Sequence, residues 1–305
     1  MGIKNLNKLI KENAPNSIKE VKDLTELDGW YVGVDASLII YQMCSVGIKY
    51  NIKNRDGLFI HHIQGIFFRV VNMIIAGIHP TFVFDSKPPE LKTEAIAKRK
   101  LARDLGATRV PREVFIEVRK LLALMGIGCI DAASEAEAEI AALIKSGVLD
   151  AAVTEDTDCL TFGAKYMIRG GTDSKKTTIT ELKKLLDGLK ITYAQFVDLC
   201  ILLGSDYNPS FPKMGPKRAL LLIQKYKSIE SIIKNEKLDT TIDFLKVRNE
   251  FLNPNVTNAK FDPEIKILTA VDIKKLRDYL INVHKLDESR INKTLNNLAT
   301  YHNIV

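Results

Sequence analysis

Three short apolar runs in this chain each lead into aspartate. Trp30 to Val34 runs into Asp35, Thr81 to Phe84 into Asp85, and Ala151 to Val153 reaches Asp156 and Asp158 a few residues on. Runs of this length and composition read as buried strands. Helical stretches separate them: Leu38 to Met43, Leu58 to Ala76 closed by Gly77, and Arg112 to Met125. Further strands are expected at Ile127 to Ile130 and Tyr166 to Arg169, and apolar helix at Thr192 to Leu203. Strands alternating with helices predict an α/β fold, in which ligands gather at the carboxyl ends of the strands. Ser37 is the expected N-cap of the helix after the first strand. The charged segment Ser17 to Leu27 reads as partly helical.

The acids are densest from Asp131 to Leu160, where eight carboxylates face one basic residue, Lys145, in a chain of net charge +7. Glu135 with Glu137, and Asp156 with Asp158, are spaced i,i+2. In an extended segment that spacing points both side chains the same way. Like charges so close repel, and Mg²⁺ or Mn²⁺, which take oxygen ligands, would relieve them. Ser134 and Glu137 equally fit a capping box ahead of Ile140, Leu143 and Ile144, which needs no metal. Asp156-Thr157-Asp158 also fits a solvated loop or the Asp-x-Asp of a phosphatase. The five histidines form no HExxH and no Cys/His cluster, so a metal would be held mainly by carboxylates.

At 305 residues and 46% hydrophobic, the chain suits one large or two closely joined domains. Cys44, Cys129, Cys159 and Cys200 are scattered and read as reduced thiols of an intracellular protein. The most apolar stretch, Ile66 to Ile78, is interrupted by Arg69 and Asn72, so no membrane span is expected. The N-terminus lacks a signal-peptide core. Two segments, Lys87 to Lys120 and Tyr207 to Lys234, each carry net +5 and flank the acidic stretch. Basic surfaces around an acidic focus suit a polyanion held by its phosphates at a metal. Lys92, Ile96, Arg99 and Arg103 share one face of a helix expected from Glu90 to Leu105, though a solvated face is the plainer reading of such a run. The turn Pro212-Lys213-Met214-Gly215 opens a helix at Pro216, an arrangement that can offer backbone N–H groups to phosphate.

Taken together, MGIKNL, VDAS with IYQ, VFDSKPPELK with AKR, LMGI, DAASEAEAEIAALIKSG, TEDTDCLTFG, QFVDLCILLGSDY and MGPKRALLLIQKYKSIE closely resemble, in content and order, the flap endonuclease family of structure-specific 5′ nucleases. The likeness covers nearly the whole chain. It implies a PIN-like α/β fold: a mixed, doubly wound sheet with helices on both faces, a helical arch, and a helix-hairpin-helix element gripping duplex DNA. It implies a site for two Mg²⁺ ions, with Mn²⁺ able to substitute. Asp35, Asp85, Glu135 and Glu137 would serve the first ion, and Asp156, Asp158 and Asp206 the second, partly through water. Lys92 and Arg99 match the basic pair that meets the scissile phosphate, with Arg103 further along the same face toward DNA. Tyr41 matches an aromatic that stacks on a base, Gly2 an N-terminus close to the site, and Arg69 a DNA contact. Gly215, Lys217 and Arg218 match the hairpin element, where K⁺ is commonly held.

The organisation so implied is a nuclease region over 1–105, a shortened arch connection over 106–123, a second nuclease region with the hairpin over 124–235, and a C-terminal helical region over 236–305 packed on the core. Between Arg99 and Leu124 the chain is shorter than the cellular family members, and it ends without the Gln-x-x-Leu-x-x-Phe-Phe clamp box. The expected function is 5′ flap endonuclease with accompanying 5′–3′ exonuclease activity on branched or nicked duplex DNA. The enzyme is expected to act as a monomer, in the nucleus or at a viral replication site. The competing readings are a catalytically silent junction-binding homologue and a metal-dependent phosphatase on small substrates.

Overall fold

A computed structural model describes residues 2–93, 95–97, 110–170, 177–257 and 271–301. Among these, seven strands form one sheet in the order β1-β7-β6-β5-β2-β3-β4. The strands are β1 (Ile18–Val21), β2 (Tyr31–Asp35), β3 (His79–Phe84), β4 (Cys129–Asp131), β5 (Ala151–Val153), β6 (Tyr166–Arg169) and β7 (Thr177–Glu181). From β6 to β4 neighbouring strands run parallel, while β7 is antiparallel to both β6 and β1. After β2 the chain adds β3 and β4 on one side and β5 on the other. The order therefore reverses between β2 and β5, the place where open α/β sheets bind ligands.

Alternation along the strands sends side chains to opposite faces, and each face has its own core. Val83, Ala152 and Met167 pack under α1 (Leu6–Asn13), α5 (Ala136–Lys145), α7 (Leu182–Leu189), α8 (Tyr193–Leu203), α9 (Pro216–Tyr226), α10 (Ile229–Glu236) and α11 (Phe244–Leu252). Phe82, Phe84, Val153 and Ile168 pack under α2 (Ala36–Lys49), α3 (His61–Ile75), α4 (Arg112–Leu124) and α12 (Ile273–Asp278). Helices thus cover both faces. Gly33 is needed on steric grounds, since a Cβ there would lie 2.7 Å from Ile140 Cγ2 and 2.9 Å from Leu149 Cδ1. The missing side chain lets α5 approach β2 and carries the start of α5 toward the end of β2.

One local expectation is met only in part and two are corrected. Ser17 to Leu27 holds an edge strand, Ile18–Val21, followed by a 3₁₀ turn at Leu24–Leu27, because pairing with β7 overrides the charged, helix-like composition. Ser37 does not cap α2; Asp35 does, its Oδ1 accepting from Leu38 N at 3.0 Å. The Ser134/Glu137 capping box does not form. The Ser134 hydroxyl instead donates to Lys87 O at 3.0 Å, and the cap on α5 comes from Asp85 Oδ1, which accepts from Ala136 N at 2.8 Å. Of the helix expected at Glu90 to Leu105, Glu90–Lys92 forms a 3₁₀ turn and Thr93 and residues 95–97 are helical. Arg99, Arg103 and residues 106–109 of the expected arch connection lie outside the described residues.

Candidate active site

At the carboxyl edge of the parallel strands a cleft of about 430 Å³ is lined by Asp35, Asp85, Glu135, Glu137, Asp156 and Asp206, together with Lys92 and Tyr41. Each acid arrives by its own route. Asp35 ends β2, Asp85 follows β3, Glu135 and Glu137 open α5, Asp156 follows β5, and Asp206 follows α8. Asp158, at the start of the short helix α6 (Asp158–Thr161), lies just behind the cleft and is 1% exposed. Its backbone N–H donates to Asp156 Oδ1 at 3.0 Å. Residues 84–87 and 132–136 are stitched together by Ala132 N to Phe84 O and Ser86 N to Ser134 O, both at 2.9 Å. That seam brings Asp85 beside Glu135 and Glu137.

So many acids in one place carry an electrostatic cost. Burial and the neighbouring Asp85 push the Asp35 carboxyl up to about 7, and a hydrogen bond with Glu137 works in the opposite direction. Burial, then Asp35 and Asp156, raises Glu137 well above the carboxylate range. Burial and Asp156 do the same to Asp158. Lys92 is the compensating cation. Its ammonium pairs with Glu135 Oε1, stands 3.9 Å from Asp206 Oδ2, and lies 4.7 Å from the centre of the Tyr207 ring. Burial works against its charge, but Glu135, Asp158 and Glu137 outweigh that and hold it ionised above its usual range.

The residues present fit a hard divalent cation. Both carboxylate oxygens of Asp158 are buried without a hydrogen-bond partner, an arrangement that is costly unless a cation answers the charge. The donor set is all carboxylate, which suits Mg²⁺ or Mn²⁺. Among the described residues no three acidic, His or Cys side chains close into a compact ligand cluster. The acids instead ring the cleft, which suits an ion that keeps part of its water shell.

The other residues singled out from sequence are spread around this centre. Gly2 has φ +86°, and a Cβ there would collide with the Asp156 carboxylate, while Ile3 N donates to Thr157 Oγ1 at 3.0 Å. The N-terminal segment is therefore packed on the loop that carries Asp156 and Asp158. Tyr41 shows one edge of the cleft, its ring edge-on to Phe115 at 6.1 Å. Arg69 is not among the residues that line the carboxylate cleft; it donates to Gly170 O at 2.6 Å and lines a second cleft of about 410 Å³ with Arg290 and His61. Gly215 is the N-cap of α9, with Pro216 in its first turn. Lys217 is exposed, and Arg218 pairs with Glu236 at 3.0 Å. Tyr207 has no role that sequence pattern alone could assign, although it is 5% exposed and its hydroxyl donates to Glu135 Oε2. Its place beside Asp206 was the one available signal.

A ring of carboxylates with one buried ammonium, at the reversal point of a parallel sheet, defines a site for cation-assisted phosphate chemistry. Residues 1–105 match the XPG N-terminal domain and residues 126–206 the XPG I-region. The chain is 40% identical over 303 residues to flap endonuclease 1 of Ovis aries, covering 90% of this chain and 78% of that one. It is 37% identical over 335 residues to flap endonuclease 1 of Homo sapiens, covering 98% and 87%. Among solved structures, the catalytic core of Rad2 in complex with DNA substrate superposes with a TM-score of 0.81 at 24% identity, over 97% of this chain and all of that one. Flap endonuclease-1 from Methanococcus jannaschii gives 0.77 at 25% identity, over 94% and 96%. The chain belongs to the flap endonuclease family.

Proposed function

We propose that this chain is a metal-dependent, structure-specific 5′ nuclease that hydrolyses DNA phosphodiester bonds at single-strand/duplex junctions, in replication and repair. The cleft carries this reading: six carboxylates from five separate segments converge on one space beside a buried lysine, with Asp158 unpartnered behind them. When bound, two Mg²⁺ ions, or Mn²⁺ in their place, would activate water and stabilise the leaving 3′ oxygen. Asp35, Asp85, Glu135 and Glu137 would hold the first ion and Asp156, Asp158 and Asp206 the second. Seven carboxylates exceed the charge of two such ions, which leaves Lys92 ionised and available to a phosphate oxygen once one enters.

Tyr41 presents an aromatic face on which a base beside the cut can stack. The open helix start at Gly215, with exposed Lys217, suits duplex phosphates held apart from the cleft, and K⁺ could share that turn. A 5′–3′ exonuclease activity is the same chemistry on a recessed or blunt end. The human alignment spans 335 positions against 305 residues in this chain, so the relative has residues absent here; we place part of that shortening in the arch connection expected over 106–123, of which Arg112 onward is helix α4. Among the described residues no helix is long and apolar enough to cross a membrane.

A nicking assay with and without Mg²⁺, on a 5′ flap duplex beside a small phosphoester, separates the readings. Metal-dependent cutting of the flap alone is expected. Hydrolysis of the small ester with the flap intact would make the protein a phosphatase, and junction binding without cutting would make it a silent homologue.

A further inference from the structure

Tyr207 touches two charged partners at once. Its hydroxyl donates to Glu135 Oε2, and the Lys92 ammonium lies 4.7 Å from its ring centre while pairing with Glu135 Oε1. The ring itself is fixed from behind. Phe251 meets it at 5.0 Å and 85°, and Phe162 at 6.4 Å and 89°, both edge-to-face. These phenyl groups set the ring plane by packing alone, so the side chain is a rigid bracket 5% exposed.

The chemistry of the bracket matters because Lys92 and Glu135 have opposite futures when the cleft fills. A lysine held only by a carboxylate competes with a divalent cation for that carboxylate. An aromatic face attracts an ammonium through its quadrupole yet offers no oxygen that a hard cation would take. The phenol likewise holds one oxygen of Glu135 through a neutral donor. A carboxylate has about four lone-pair positions, so it retains capacity for a metal or its water. We infer that Tyr207 is a positioning residue for the reaction: its ring seats Lys92 and its hydroxyl orients Glu135, so that the two can separate without either leaving its place. The inference rests on the nuclease reading of this cleft.

Two variants divide the roles. Tyr207→Phe keeps the ring and removes the hydroxyl, and Tyr207→Leu removes both. Calorimetry with Mn²⁺ as the probe and no DNA present should show affinity weakened about tenfold by Tyr207→Phe, the size expected for losing a hydrogen bond to a charged group. The half-saturating Mg²⁺ for single-turnover cleavage should move by the same factor, with excess Mg²⁺ recovering the rate. Tyr207→Leu should also slow cleavage at saturating Mg²⁺ by about tenfold. That loss should vanish in the Lys92→Ala background, where the double variant cuts no more slowly than Lys92→Ala alone.

A merely structural tyrosine would lower the melting temperature and shift neither the metal curve nor the coupling. A folded Tyr207→Phe with wild-type Mn²⁺ affinity overturns the inference, whether or not Tyr207→Leu folds. So does a Tyr207→Leu that slows Lys92→Ala as much as it slows the wild type. The calorimetry separates the two failures: a protein whose Mn²⁺ affinity falls in Tyr207→Phe but whose wild type cuts no DNA sinks the nuclease reading, whereas one that cuts DNA with the same Mn²⁺ affinity in wild type and Tyr207→Phe sinks this inference alone.

Discussion

Lys92 is the single residue on which the electrostatics of the cleft turn. Its ammonium is buried among carboxylates that hold it charged against the cost of burial, and it is the described cation among the cleft's lining residues. Lys92→Ala should lower the single-turnover cleavage rate by about a hundredfold or more, the size found when one preorganised donor is removed from a transition state. Affinity for junction DNA should change little, because affinity is spread over many phosphate contacts. A variant that binds weakly but cuts at the normal rate once bound would make Lys92 a grip residue. The raised carboxyls predict a pH signature. Unfolded, Asp35 titrates near 4; folded and metal-free it is pushed up to about 7. The metal-free fold therefore holds a proton that the unfolded chain releases. This contribution is complete below about pH 4 and is lost as pH rises through about 7, with Glu137 and Asp158 acting in the same direction. Mg²⁺ should offset that loss, so the rise in melting temperature on adding Mg²⁺ should be larger at pH 8 than at pH 5.5. Equal increments at both would show that these carboxyls are not where Mg²⁺ binds. At this scale the acids were legible because each follows an apolar run. Tyr207 was not, since its bond to Glu135 spans 72 positions and leaves no mark in local pattern. Asp85 as the cap of α5 was hidden for the same reason.

At the scale of elements, β2, β3, β5 and β6 were legible as apolar runs buried on both sides. β1 and β7 were not. β1 is an edge strand whose Lys19 and Glu20 are exposed, and such a strand keeps the charge pattern of a surface helix. β7, Thr-Thr-Ile-Thr-Glu, did carry a β-branched signal, but it is short and follows a polar connection. The start of α9 was legible from Gly215-Pro216 because a glycine N-cap followed by proline fits a helix start. Sequence could not show that Arg218 is already paired with Glu236, an exposed bridge worth little and easily exchanged for a phosphate. Lys217→Ala with Arg218→Ala should weaken binding to duplex of any sequence and reduce the salt slope by about two. An unchanged slope would remove this element from the DNA footprint.

Across the molecule, an acidic cleft sits in a chain of net charge +7 whose positive excess is concentrated in two segments, Lys87 to Lys120 and Tyr207 to Lys234, each of net +5. That distribution draws a polyanion in while leaving the cleft itself selective for cations. The proposed shortening of the arch, between the matched regions 1–105 and 126–206, bears on which DNA is admitted. With so few residues to close around a strand, a blocked 5′ end should hinder this enzyme less than a full-arch relative. Placing a bound protein on the 5′ terminus of a flap measures this, and a block that stopped cleavage as completely as in the longer enzyme would show that threading is still enforced. The central claim is that the carboxylates act through charge upon bound cations. Asp156→Asn and Asp85→Asn test it most directly, because asparagine can still accept the bonds these residues receive from Asp158 N and Ala136 N and so preserves the local fold. Cleavage of a 5′ flap should fall by at least about a hundredfold in each, with junction binding retained. Near-normal cutting by either folded variant would contradict the account.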